Sequence, residues 1–186
     1  MKKAYKEIGF KKLWRFFWLT PLLGFFNLLG FPNLRSGFLR LFRAKIGKNV
    51  VIHKIKLFNL YRGKFSNLKI GNNSFIGDDC LLDLADSITL GEQVTLAERV
   101  TVLTHTNVGY EDHPLQIYFP RRMTPVEFKD GCFIGANATI LPGVVIGKKS
   151  FIAAGSVVTA SIPPEILAGG VPAKPIRKID EKNYDK

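Results

Sequence analysis

A parallel β-solenoid is the fold class this sequence predicts, and three observations predict it. An apolar residue, mostly Ile, recurs every six positions at Phe128, Ile134, Ile140, Ile146, Ile152 and Val158. A small residue often follows, as at Gly135, Gly147 and Ala153. No proline falls between residues 33 and 113, where it would break a strand ladder. An amphipathic helix repeats every 3.6 residues and a strand every 2, so a period of six fits neither as one long element. It fits a chain that makes a short flat strand, turns a corner and repeats, three sides to a coil of about 18 residues. Ile134 then stacks under Ile152 and Ile140 under Val158, with strands about 4.8 Å apart. The corners call for residues that accept positive φ, which Gly and Asn supply. Handedness does not follow from the period.

Residues 1–45 lie outside this pattern. They carry ten Lys or Arg and one Glu, so most of the net charge of +12 sits on this arm. Lys2, Lys3, Lys6, Lys11, Lys12 and Arg15 precede an uncharged stretch, Phe16 to Leu34, and Arg35, Arg40, Arg43 and Lys45 follow it. That stretch has the minimum length of a membrane span. Pro21, Gly24, Asn27, Gly30 and Pro32 interrupt it, however, and positive residues flank both ends, against a simple span. No small-x-small cleavage site marks a signal peptide. The arm is expected to be a helical segment lying on an anionic membrane, with Trp14, Phe16, Phe17, Trp18, Phe25 and Phe26 dipping into lipid. A helical subdomain packed on a neighbouring solenoid is the alternative. Interleaved apolar residues favour lipid over nucleic acid as the partner.

The solenoid begins at Ile46 and Ile52, and its register lapses through Lys54 to Asn67, a distorted coil or an inserted turn. It resumes at Ile70, Ile76 and Leu82. A slip of two residues at Leu84 to Ser87, read as a corner insertion, gives Leu90, Leu96 and Val102. The period stops at Thr104-His105-Thr106-Asn107 and returns near Phe128. The intervening 106–127 segment is a long aperiodic loop expelled from the coil, and such loops are usually functional.

Two of the three histidines bracket the start of this loop. Histidine suits proton transfer near neutral pH, so His105 is the candidate general base, with a structural corner histidine as the alternative. His113 reads as a solvated loop residue and His53 as incidental. His105 and His113, with Glu111 and Asp112, lack the spacing of a preformed zinc site, so no metal is expected. Cys80 and Cys132, the only cysteines, suggest neither a disulfide scaffold nor a metal knuckle, and read as buried cytosolic thiols. Tyr118 and Phe119 in the loop could stack on a sugar face, and Arg121 and Arg122 could meet a phosphate, or the loop could instead pack on a neighbouring subunit.

The hexads, the Thr-His loop and the tail Ile152-Ala-Ala-Gly-Ser-Val-Val-Thr through Ile162-Pro-Pro to Ala168-Gly-Gly-Val-Pro-Ala-Lys-Pro-Ile-Arg177 resemble the hexapeptide-repeat acyltransferases. The nearest branch looks like the maltose and galactoside O-acetyltransferases and those of surface-polysaccharide pathways. The likeness covers roughly residues 65–178. It implies a left-handed β-helix, a homotrimer with sites between subunits, and acetyl-CoA as donor. The family's catalytic histidine falls on His105, and an acceptor-side polar residue falls near Asp79. Acceptor contacts are assigned to Asp79, Tyr118 and Arg121. Coenzyme contacts would fall on Ala136, Ala154, Thr159, Lys174 and Arg177.

Acyl transfer from a thioester to an alcohol needs a base for the hydroxyl proton but no protein nucleophile, because the thioester is already activated. The sequence therefore predicts direct O-acetylation of a sugar hydroxyl on a glycan intermediate, by a cytoplasmic enzyme at the inner membrane face. Transfer to an amino sugar nucleotide, a γ-class carbonic anhydrase and a non-catalytic scaffold are the competing readings. Residues 1–45, 46–178 and 179–186 form the expected arm, solenoid and polar tail.

Overall fold

A computed structural model describes residues 9–180. Two helices lead into a three-sided parallel β-helix. Helix α1 spans Phe10–Leu28 and α2 spans Pro32–Leu41. Five coils follow, and each contributes one short strand to each of three parallel sheets. The first face holds β1 (Lys45–Ile46), β4 (Leu68–Ile70), β7 (Ile88–Leu90), β12 (Val126–Phe128) and β15 (Val145–Ile146). The second holds β2 (Val51–Ile52), β5 (Phe75–Ile76), β8 (Thr95–Leu96), β13 (Phe133–Ile134) and β16 (Phe151–Ile152). The third holds β3 (Lys56–Phe58), β6 (Leu81–Asp83), β9 (Thr101–Val102), β14 (Thr139–Ile140) and β17 (Val157–Val158).

The register is the one the period predicts: Ile134 lies opposite Ile152 and Ile140 opposite Val158. The columns Ile52-Ile76-Leu96-Ile134-Ile152 and Leu82-Val102-Ile140-Val158 are almost wholly buried. A second set of inward residues sits at the corners, including Val50, Val94, Cys132, Cys80, Val100, Ala138 and Val144. The two cysteines are thus corner core residues with free thiols. Corner serines are tied to backbone carbonyls, Ser74 Oγ donating to Gly91 and Ser150 Oγ to Pro163.

Positive φ recurs in columns at the corners, but not only at Gly and Asn. Asp79, Arg99 and Asn137 share one corner at φ 57, 58 and 59, and Gln93, Lys149 and Glu165 take it at another. Each such residue is held by ladder bonds on both sides, which over-determine the backbone and offset the intrinsic cost. Glycine is required where coils touch: a Cβ at Gly135 would stand 2.5 Å from the Ala154 amide nitrogen.

The lapse between residues 54 and 67 resolves into a regular strand and an insertion. Strand β3 pairs with β6 in parallel register, and residues 59–67 form a bulging turn that closes in a short 3-10 helix, Phe65–Asn67. Gly63 packs so closely there that a Cβ would overlap the Leu84 carbonyl oxygen. The slip near Leu84 to Ser87 is a corner insertion, as expected, since Ile70 pairs with Leu90 across it.

Both open ends of the solenoid are closed. At the start, α2 turns polar groups onto the carbonyls of the first coil. Ser36 Oγ donates to Val50, buried Arg35 to Ile52, and Arg40 to Ile46 and Gly47. These bonds satisfy an edge that would otherwise invite pairing with another chain. At the far end, β18 (Ile166–Gly170) pairs with β16 and folds back antiparallel to β19 (Ala173–Lys178).

The arm is helical, as expected, and departs from expectation at Phe26. Helix α1 runs straight through Pro21 and Gly24. An interior proline costs about 3 kcal/mol, and packing of Leu19, Leu22, Leu23 and Phe26 onto the core offsets it. Phe26 therefore does not face lipid: it is buried against Phe38 with ring centroids 5.3 Å apart. The arm and the first coil share one core, so residue 45 marks a change of secondary structure rather than of packing. Phe10, Trp14, Phe17, Trp18, Phe25 and Leu28 remain exposed along the outer stripe of α1. No described helix is long and apolar enough to cross a membrane. Lys2, Lys3 and Lys6 and residues 181–186 of the polar tail lie outside the described residues.

Candidate active site

The expelled loop leaves the solenoid after β9, at the corner between the third and first faces. Its stem is a short antiparallel pair, β10 (His105–Thr106) with β11 (Arg122–Met123), which places His105 opposite Met123. The backbone of His105 is thereby pinned at the mouth of the loop. Its side chain is fixed from the coil below. The Asp83 carboxylate, at the end of β6, accepts a hydrogen bond from His105 Nδ1.

Asp83 is completely buried, and its acceptor capacity is filled. Thr104 N–H donates to Oδ2 at 3.0 Å, Ala85 N–H to Oδ1 at 3.1 Å, and Asn59 Nδ2 to Oδ1 at 2.8 Å. Burial is the largest influence on this carboxyl and opposes ionisation. The hydrogen bonds from His105, Asn59, Thr104 and Ala85 together outweigh it and hold the group below the ordinary carboxylate range. An ionised Asp83 can only accept, so His105 carries a proton on Nδ1, and in the neutral ring Nε2 is the acceptor. Asn59 Nδ2 also lies 3.2 Å from His105 Nδ1. Both are donors in this tautomer, so the Asn59 proton belongs to Asp83. Asn59, Asp83 and His105 come from three successive coils, and Phe58 stands edge-on to the imidazole at 6.2 Å between centroids.

Neither Asp83 nor Asn59 emerges from the sequence reading. A faint signal exists for Asp83: it follows Leu82 where the other coils place Phe58, Leu103, Leu141 and Thr159. An acid at a strand position that is uncharged in every other coil asks for a partner. Asn59 lies in the stretch where the period lapses, which hides its alignment.

Asp79, the expected acceptor residue, is not part of this cluster. It occupies the corner between the second and third faces, exposed, with its carboxylate 3.9 Å from Lys56. The three-sided coil puts that corner on a different edge from His105. Tyr118 is 75% exposed near the tip of the loop. Arg121, on the returning limb, lines a cavity of about 220 Å³ with Lys12, Tyr61, Arg62, Asn107 and Tyr110.

The residues expected along the coenzyme track also divide between edges. Ala136 and Ala154 stack directly at the same corner as Asp79, with Gly155 N–H donating to the Ala136 carbonyl at 2.8 Å. Lys174 pairs with Gly169 near the turn of the β18–β19 hairpin. Arg177 pairs with Leu167 further back along it, and Thr159 follows β17 on the His105 edge. One chain thus carries the Asn59-Asp83-His105 cluster on one edge and a small-residue track on another.

The other histidines have local roles. His113 Nδ1 accepts from Leu115 N–H at the start of a 3-10 turn, and His53 pairs with Asp78 at 2.9 Å. Burial pushes the Cys80 and Cys132 thiols up to about 11 and about 12, so neither offers a thiolate nucleophile. Among the described residues, no group of three or more His, Cys, Asp or Glu side chains could hold a metal ion.

Comparison with known proteins agrees with this architecture. Residues 67–101 and 130–160 match the family described as "Hexapeptide repeat of succinyl-transferase". The chain is 33% identical over 145 residues to the putative colanic acid biosynthesis acetyltransferase WcaF of Escherichia coli, covering 77% of this chain and 74% of that protein. A maltose O-acetyltransferase from Clostridium difficile superposes with a TM-score of 0.75 and 32% identity, covering 88% of this chain and 86% of the other. A galactoside acetyltransferase in complex with coenzyme A superposes at 0.74 and 29%, covering 87% and 80%. The match to an N-acetyltransferase of Clostridium perfringens is shorter: this chain spans 28% of that protein's length. On the shared repeat, the extent of the match and the common architecture, the chain belongs to the hexapeptide-repeat acetyltransferases, with the left-handed parallel β-helix of that family.

Proposed function

We propose that this protein transfers an acetyl group from acetyl-CoA to a hydroxyl of a sugar in surface-glycan synthesis, with His105 as general base. The observation that carries this reading is the buried Asp83 carboxylate on His105 Nδ1, which leaves Nε2 free to accept a proton. Nε2 takes the hydroxyl proton as the oxygen attacks the thioester carbonyl. A tetrahedral oxyanion forms, and its collapse breaks the C–S bond. The proton on Nε2 passes to the departing CoA sulfur, so the imidazole ends as it began. Asp83 steadies the imidazolium between the two transfers. The neutral, buried thiols of Cys80 and Cys132 favour this direct route over a covalent intermediate.

The division of the site between two edges supports a homotrimer. A threefold arrangement of three-sided prisms sets the His105 edge of one subunit against the Ala136–Ala154 edge of the next, so thioester and base meet between chains. Small residues at Ala136, Ala154 and Gly155 admit an extended pantetheine to the backbone, and Lys174 suits the CoA phosphates. Thr159 and Arg177 would join from the flanks, and Asp79 and Tyr118 would reach an acceptor only through a neighbouring subunit. WcaF and the maltose and galactoside enzymes supply the precedent for a carbohydrate acceptor. Alkaline treatment of the isolated product tests the chemistry: an O-acetyl ester is cleaved, whereas a stable amide would mean an amino-sugar acceptor.

The outer stripe of α1 supports a peripheral place on an anionic membrane. Trp14, Phe17 and Trp18 cluster in the open, with centroids about 6 Å apart, beside exposed Lys11. The intact protein is expected to sediment with anionic liposomes and to lose that property when residues 1–40 are removed. Sedimentation of the truncated form would place the contact elsewhere.

A further inference from the structure

Next to the His105 cluster lie two cavities that share a wall. The first, about 220 Å³, collects three cations from three separate elements. Lys12 comes from α1, Arg62 from the insertion after β3, and Arg121 from the returning limb of the loop. None of the three makes an ion pair with a described residue. Arg62 is braced by its neighbour, Nε donating to Tyr61 Oη at 2.9 Å, and the buried Nε of Arg121 has no acceptor among the described residues. Three positive charges gathered around one cavity repel one another, and a multivalent anion would reverse the sign of that term. Asn107 and Gly109 also line this cavity, two and four residues beyond His105.

The second cavity, about 260 Å³, runs between α1 and the first coil. Leu19, Leu23, Leu57, Phe58 and Leu60 line it, Asn59 of the catalytic cluster lies on its wall, and Tyr61 belongs to both cavities. An apolar groove that opens beside a cationic pocket, under a helix whose outer stripe is exposed aromatic residues, matches a ligand with an apolar chain and an anionic head. Arg15 keeps the two elements together, Nη2 donating to the Leu60 and Gly63 carbonyls.

We infer that the acceptor is a lipid-linked phosphosugar, with its phosphate or diphosphate held by Lys12, Arg62 and Arg121, its hydrocarbon chain in the groove between α1 and β3, and its sugar directed to His105. This inference rests on the acetyltransferase reading and names the acceptor class for it. The same cations would hold a soluble sugar phosphate, but that ligand would leave the apolar groove unused. The lipid form uses both cavities and places the reaction at the surface that the aromatic stripe favours.

Calorimetry on the full chain saturated with CoA, so that the donor's phosphate contacts are already occupied, separates these cases. The probes are farnesyl diphosphate, inorganic pyrophosphate and farnesol. Farnesyl diphosphate is expected to bind about tenfold or more tighter than either of the others, because it alone fills both cavities. Arg62→Gln with Arg121→Gln should weaken both diphosphates about tenfold or more and leave CoA binding unchanged. Leu19→Gln should bring farnesyl diphosphate down to the affinity of pyrophosphate, and retained pyrophosphate binding shows that this variant is folded. Equal affinities for farnesyl diphosphate and pyrophosphate, or binding insensitive to Arg62 and Arg121, would overturn the inference. A protein that fails to bind CoA at all defeats the acetyltransferase reading itself, whereas CoA binding without any diphosphate binding defeats only this one.

Discussion

The Asp83 carboxylate and the His105 imidazole meet across two successive coils, joined through Oδ2 and Nδ1, with the acid fully buried and the histidine at the mouth of the expelled loop. This pairing fixes the tautomer. Asp83→Asn keeps the shape but replaces an acceptor-only group with one that also donates, so the buried Thr104 and Ala85 amides compete with His105 for one oxygen. The expected result is a fall in kcat/KM of about 10²-fold or more, the size of a general-base contribution, with CoA affinity unchanged. Steady-state kinetics beside calorimetry with CoA checks this. A variant as active as the parent would mean that the pairing is structural only.

The same carboxyl makes stability depend on acidity. Its pKa is held below the ordinary value of about 3.9. The unfolded chain therefore takes up the proton at a higher pH than the folded chain does. Stability rises with pH wherever the unfolded state binds more protons. The contribution of Asp83 is thus complete above about pH 5 and fades as pH falls through about 4 towards its folded value. Urea midpoints should separate parent from Asp83→Asn most widely near pH 7, with the gap closing at the acid end. A gap that widens below pH 4 would contradict the sign.

The corner cysteines offer a further check on direct transfer. With thiols pushed up to about 11 and about 12, Cys80 and Cys132 should resist a thiol reagent at pH 7.5 until the protein is unfolded. Ellman titration of native and denatured protein measures this. Rapid labelling of either residue in the native state, accompanied by loss of activity, would revive a covalent route.

Much of this architecture is legible in the sequence because a period of six states which residues stack. Ile134 over Ile152 needs no knowledge of the rest of the chain. The insertion at residues 59–67 breaks that count, and with it disappears the position of Asn59. Asp83 hides for a different reason: its burial becomes visible only when the corner insertions are placed, which brings it beside the start of the loop. Pro21 and Gly24 interrupt the uncharged stretch in sequence, and the packing of Leu23 and Phe26 that carries α1 through them is tertiary, beyond what local propensity displays. Asp79 enters the expected site through the family resemblance alone, and within one chain it stands on a different edge from His105.

That separation of edges has a consequence for mixed oligomers. Ala154→Trp should block the track on one edge, and His105→Ala should remove the base from another. Each variant alone is expected to be inactive. Unfolding them together and refolding the mixture should restore part of the activity, because some interfaces then pair an intact histidine with an intact track. No recovery, in a mixture shown by size-exclusion chromatography to have reassembled, would mean that both parts of the site act within one chain.

The most direct measurement is thiol release from acetyl-CoA in the presence of a glycan acceptor, parent against His105→Ala. General-base catalysis contributes about 10²- to 10⁴-fold, so the variant should lose that factor in kcat while still binding CoA. Equal rates of thiol release from the two proteins would contradict the assignment of His105 and, with it, the proposed mechanism.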